Sequence, residues 1–189
     1  MTRKILIISG FIFMLPVLVH GQVERKYIRQ GNKQYKEEMY DESEILYRKA
    51  LEKEQQSYSG EFNLGDAMYK QEKFEDAARS FNKLAENQTD PLKLGELNHN
   101  LGNSLLKAKQ LEASIEAYKQ ALRNNPGDNE TRHNLAYAQK MLQQQQDQDK
   151  QDQDKQDQDQ DKDKQDQDQN KDKQDQDQNK DQQDQDQNK

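Results

Sequence analysis

The 189-residue sequence predicts an all-α chain: an α-solenoid of about three helix-turn-helix repeats, a C-terminal capping helix and a disordered acidic tail. Three observations carry this. First, "MYDESEILYRKAL" (39–51), "KFEDAARSFNKLA" (73–85) and "QLEASIEAYKQAL" (110–122) align without gaps. Each holds a large apolar residue, then a small one, an aromatic and an Ala or Leu at offsets of 3, 4 and 3, one stripe along a helix. Second, the segments upstream, 27–36, 61–70 and 98–107, each carry a glycine at the same distance: Gly31, Gly65 and Gly102. Third, these glycines are spaced by 34 and then 37 residues, a period that suits a two-helix unit.

The chain opens on "MTRKILIISGFIFMLPVLVHGQ". Arg3 and Lys4 make a basic start, and residues 5–19 are apolar apart from Ser9, Gly10 and Pro16. Val19 and Gly21 suit positions −3 and −1 of a cut after Gly21. That is the layout of a secretory signal over 1–21, since a spanning helix needs about 20 apolar residues; an uncleaved N-terminal anchor is the alternative. The chain has no Cys, so an oxidising compartment finds nothing to cross-link and no lipoprotein cysteine is present.

Residues 22–142 must do the folding, in units 24–57, 58–91 and 95–128. The first packs Tyr40, Ser43, Tyr47 and Ala50 behind Gly31, the second Phe74, Ala77, Phe81 and Leu84 behind Gly65. The third packs Leu111, Ser114, Tyr118 and Ala121 behind Gly102, and Pro126 ends its second helix. Glycine inside a helix costs about 1 kcal/mol against alanine, so a recurrent one predicts close approach of a neighbouring helix. The longer second spacing puts three extra residues near 87–93, as a longer turn or an extended helix start. After Pro126, residues 129–142 repeat the first-helix pattern with Leu135-Ala136 in place of Leu-Gly, and no second helix follows. They read as the cap that a stacked array needs, able to run on into the Gln residues beyond.

The tail, 143–189, contains only Gln, Asp, Lys and Asn, with 16 Asp against 8 Lys. The rest of the chain is nearly neutral, so the net charge of −7 belongs to the tail. A nine-residue unit, "KDKQDQDQN", recurs at 162–170 and 171–179. Such a segment buries nothing and is expected to stay disordered, a solubilising spacer. Its Asp residues lack the Gly and Glu spacing of a calcium loop, so they offer Ca²⁺ at most weak contacts. It could also visit a lysine-edged groove as an intramolecular lid. Nucleic acid is not an expected partner, because no basic face exists.

There is no Gly-rich phosphate loop, Ser-His-Asp spacing or zinc-ligand set, so neither an enzyme nor a cofactor is predicted. Glu96/His99 and Glu130/His133 are both Glu-x-x-His, at matching places in consecutive first helices. This is half of a di-metal carboxylate site, but the other half is not evident, and the two read as groove-lining histidines with no metal site assigned.

The pattern resembles the tetratricopeptide repeat (TPR) family. The third unit matches best, with Leu101-Gly102, Leu111, Ser114, Tyr118, Ala121 and Pro126; the second has Thr89 where Pro belongs, the first Gln30 where Leu is usual. The resemblance implies a concave face formed by the first helices. Its candidates here are Arg29, Asn32 and Lys36, then Asn63, Tyr69 and Lys70, then Asn100, Asn103 and Lys107. Asn amides can donate to and accept from an extended peptide, and a Lys closes each row. Some members clamp a C-terminal carboxylate; Asn32 and Asn63 match that pattern, but Ile28, Glu96 and Asn100 stand where Lys or Arg is required, so chaperone-tail binding is not expected. The layout is also similar to the small TPR proteins of the Bacteroides aerotolerance group. That implies an envelope-associated partner of von Willebrand factor A-domain membrane proteins and a MoxR-type ATPase. The expectation is an exported, non-catalytic adaptor of the periplasm or cell envelope that binds protein or peptide segments, with membrane association through its N-terminal segment or a partner. The alternatives are a structural or stress-related envelope scaffold acting through its outer face or tail, and a weak metal or Ca²⁺ binder.

Overall fold

A computed structural model describes residues 15–151 and 153, with 15–21 as backbone alone. The described elements are helices: α1 Leu15–Lys36, α2 Tyr40–Lys53, α3 Tyr58–Lys70, α4 Phe74–Ala85, α5 Pro91–Lys107 and α6 Leu111–Asn124. A seventh, α7, begins at residue 129. Residues 1–14, most of the expected signal segment, lie outside the described residues. Among the described residues no helix is long and apolar enough to cross a membrane. The chain divides into units 1–141 and 142–189. In the second, residues 142–151 are helical, so helix runs past the boundary expected at 142; residues 154–189 of the tail lie outside the described residues.

Three-residue turns join α1 to α2, α3 to α4 and α5 to α6, and each successive helix packs on the one before. The turns share one device. Glu38, Glu72 and Lys109 take the left-handed conformation, with φ of 60°, 61° and 60°. Around each, the next residue's N–H reaches five residues back: Met39 to the Gln34 carbonyl, Lys73 to Met68 and Gln110 to Leu105, at 3.0, 2.9 and 2.9 Å. These are Schellman closures, normally given to glycine. A side chain with a Cβ is strained there by roughly 1 kcal/mol. Glu38→Gly, Glu72→Gly and Lys109→Gly are each expected to stabilise the fold by about 0.5–1 kcal/mol, readable as a rise in the urea midpoint.

Helices that open a hairpin are capped differently. Ser57 accepts from the Gly60 N–H at 3.1 Å. Asp90 accepts from Leu92 and Lys93 at 2.9 and 3.3 Å, and Asp128 from Thr131 at 3.0 Å. Oxygens at these caps satisfy the first free amides of α3, α5 and α7. The three extra residues of the second spacing become helix: α5 starts at Pro91 behind its Asp90 cap and spans 17 residues, against 13 for α3.

The recurrent glycines sit against the recurrent aromatics. A Cβ on Gly31 would lie 2.5 Å from Tyr47, on Gly65 2.9 Å from Phe81, and on Gly102 2.5 Å from Tyr118. All three rings are buried. Ser43, Ala77 and Ser114 are fully enclosed one turn away, as are Ala50 and Ala121 further along the stripe. The Ser114 hydroxyl donates to the Gly102 carbonyl at 2.9 Å, tying the two helices where the glycine lets them touch. The main core joins Tyr47, Leu64, Ala67, Met68, Ala77, Phe81 and Leu97, drawn from α2 to α5. No hairpin encloses it alone, which is how a chain only 30% hydrophobic folds.

Candidate functional site

The inner face belongs to α1, α3, α5 and α7, and polar side chains bridge neighbouring inner helices. Tyr47 donates its hydroxyl to Asn32 Oδ1 at 2.8 Å, and Asn63 Nδ2 donates to the same oxygen at 3.0 Å. The arrangement recurs two repeats on. Tyr118 donates to Asn103 Oδ1 at 2.7 Å, and Asn134 Nδ2 donates to it at 3.0 Å. Each inner asparagine thus accepts once from its own hairpin and once from the next inner helix, which fixes the register of adjacent repeats.

The second relay runs further. Thr131 donates its hydroxyl to Asp128 Oδ2 at 2.5 Å, so its oxygen must accept from His99 Nδ1, 2.6 Å away. His99 Nε2 then accepts from Asn103 Nδ2 at 2.9 Å. One set of donor directions satisfies every member, with Nδ1 of His99 donating and Nε2 accepting. Burial opposes charge on Asp128, but the Thr131 hydroxyl and N–H outweigh it and hold the carboxyl below its usual range. Both ring nitrogens of His99 are therefore engaged. His133 is exposed and touches Asn134, and among the described residues no group of three or more His or carboxylates could hold a metal ion.

The sequence candidates fall into three groups. Asn32 and Asn103 face the groove with their Oδ1 atoms committed to the relays, and the Asn63 amide nitrogen is committed too. Tyr69 packs edge-on against Phe74, with ring centroids 5.4 Å apart, and still lines a concavity of about 370 Å³ with Asn103, Leu106, Lys107 and Tyr137. Lys36, Lys70 and Lys107 end the inner helices, exposed and without an ion pair among the described residues; Arg29 is likewise unpaired and Asn100 makes no side-chain hydrogen bond. The cap supplies two groove residues that the sequence candidates omit, Asn134 and Tyr137. The signal for Asn134 was its 31-residue distance from Asn103, the same as that from Asn32 to Asn63.

The relay breaks in the middle repeat. Asp66 occupies the place of Asn32 and Asn103, and Phe81 replaces the tyrosine that would donate to it. Burial, with the Glu96 carboxylate on α5 adding to it and Lys70 opposing, pushes Asp66 up to about 6 from 3.8. The folded state therefore binds more protons than the unfolded one between about pH 4 and 6, and stability rises as pH falls through that window. Asp66→Asn is expected to be more stable by about 1–2 kcal/mol at pH 7.5, with the gain closing near pH 4; urea melts at the two pH values check this.

Models of the tetratricopeptide repeat match residues 28–91 and 95–128, more than half of the chain. No curated protein matches it. Among solved structures, the TPR2AB domain of yeast Sti1 in complex with pHSP90 is similar, with a TM-score of 0.58 and 25% identity over 67% of this chain and 50% of that one. This chain thus spans half the length of that structure. The first TPR of Spaghetti (RPAP3), bound to the HSP90 peptide SRMEEVD, gives a TM-score of 0.59 and 21% identity over 64% of this chain and 94% of that one. The second TPR domain of human RPAP3, in complex with the HSP70 peptide SGPTIEEVD, gives 0.56 and 16% over 64% and 96%. At these lower identities the likeness is one of fold.

Proposed function

The chain belongs to the tetratricopeptide repeat family, and we propose that it is an exported, non-catalytic adaptor whose inner groove captures an extended segment of a partner protein. One observation carries this reading. Lys36, Lys70 and Lys107 end three successive first helices along the groove edge, exposed and with no ion pair among the described residues. Unpaired cations in a row favour a ligand carrying acidic residues. The amides of Asn32, Asn63 and Asn100 keep free donors or acceptors for a peptide backbone. Similar folds bind peptides in the Spaghetti and human RPAP3 structures. The C-terminal carboxylate is not the expected feature here, because Ile28, Glu96 and Asn100 occupy the places where its basic partners would stand.

The basic start followed by fifteen mostly apolar residues supports export to the periplasm or cell envelope. The layout of signal, short repeat array and Asp/Gln tail supports a place in an envelope complex, with von Willebrand factor A-domain membrane proteins as the partners that present the segment. The test is a pull-down from native membranes with the full chain and with Lys36→Glu, Lys70→Glu and Lys107→Glu combined. Loss of at least tenfold of the captured partner is expected, with helical content unchanged; unchanged capture contradicts the groove and favours the outer face or the tail.

A further inference from the structure

The break in the relay leaves a charged group on the groove floor with nothing to hold. Asn32 and Asn103 each accept from a tyrosine hydroxyl and from the asparagine of the next inner helix. At Asp66 both donors are missing: Phe81 has no hydroxyl, and Asn100, at the place of Asn63 and Asn134, does not reach it. Lys70, one turn along the same helix, does not come within ion-pair distance. Among the described residues, then, no side chain donates to Asp66, although it is partly buried and lines a concavity of about 220 Å³ with Asn32, Tyr35, Lys36, Tyr47 and Asn63.

We propose that Asp66 is a cation subsite of the groove, taking the guanidinium or ammonium group of an Arg or Lys side chain on the bound segment. A half-desolvated carboxylate with free lone pairs is a strong acceptor for a charged donor, and an Arg fork can engage both of its oxygens. The rings of Tyr35 and Tyr47 border the same concavity and suit the aliphatic stem of such a side chain. The Glu96 carboxylate on α5 adds negative charge near Asp66. Lys36 on the rim carries the other sign and fits an acidic neighbour, so the recognised segment has a basic residue flanked by an acidic one. This rests on the groove reading above and specifies its ligand.

The test selects a phage-displayed library of 12-residue peptides on the full chain, on Asp66→Asn and on the triple lysine-to-glutamate variant. Synthetic peptides of the recovered sequence are then titrated at pH 7.5 and 5. The groups that face Asp66 are Glu96 on α5, Tyr35 and Lys36 on α1, Tyr47 on α2 and Lys70 on its own helix; Asp66 itself, pushed up to about 6, sets the response between the two pH values. The expected result is one fixed Lys or Arg position in the recovered motif. Affinity should fall at least tenfold in Asp66→Asn, a variant expected to fold better than the parent, and should fall between pH 7.5 and 5 in the parent alone. A motif without a basic position, or one indifferent to Asp66→Asn, overturns the subsite while leaving the groove intact if the lysine variant still abolishes binding. Recovery of no motif at all overturns both.

Discussion

Tyr118→Ala is expected to cost the fold about 3–5 kcal/mol, a large share of the stability of any domain this size. The ring is wholly enclosed and its hydroxyl is the hairpin's donor to Asn103. The more informative result comes from pairing it with Gly102→Ala. Alone, the added methyl would stand 2.5 Å from two ring atoms of Tyr118, so ring or backbone must shift. Such overpacking costs about 1–3 kcal/mol, which exceeds the roughly 1 kcal/mol that alanine returns in helix propensity. In the Tyr118→Ala background the methyl enters space that the ring has left. There Gly102→Ala is expected to be neutral or stabilising, a reversal of sign within one double-mutant cycle measured by urea denaturation of the full chain. Additive effects would contradict the packing account, and with it the same contact at Gly31–Tyr47 and Gly65–Phe81.

Asn103→Ala is expected to cost about 2–3 kcal/mol, more than Asn32→Ala at about 1–2 kcal/mol. The two asparagines hold equivalent places, so the difference isolates the longer relay. Removing Asn32 leaves the Tyr47 hydroxyl and the Asn63 amide without an acceptor. Removing Asn103 leaves the Tyr118 hydroxyl and the Asn134 amide without an acceptor and also strips the donor from His99 Nε2. Linked hydrogen bonds fail together more severely than separate ones. Because His99 and Asn103 hold α7 through Thr131 and Asn134, the amides of residues 131–138 should exchange measurably faster in Asn103→Ala and not in Asn32→Ala. Equal losses in the two variants, or unchanged exchange, would contradict the relay.

Periodicity made the hairpins legible because glycine and aromatic lie sixteen residues apart three times over, and only a close helix contact explains so costly a glycine. The turn residues were not legible. Glu38, Glu72 and Lys109 adopt a conformation that glycine would mark, and neither Glu nor Lys signals it. The groove lysines could be placed from their spacing, since a helix end needs no tertiary information. The asparagines could be placed but their partners could not: whether Asn32 meets a ligand or Tyr47 and Asn63 depends on packing within its own hairpin and against the next. Asp66 follows Gly65 as Asn32 follows Gly31 and Asn103 follows Gly102, yet its significance depends on the absence of two donors that come from different helices. The extended start of α5 was one of two readings of the extra residues, and Asp90 followed by Pro91 decides it.

The central claim is that partners enter through the inner face, and site-specific photo-cross-linking tests it most directly. A benzophenone amino acid at Tyr137, which is half exposed on α7 and borders the groove, should capture the partner in native membranes. The same group at Ile45, equally exposed on α2, should capture none. Cross-links from position 45 with none from 137 would contradict the account.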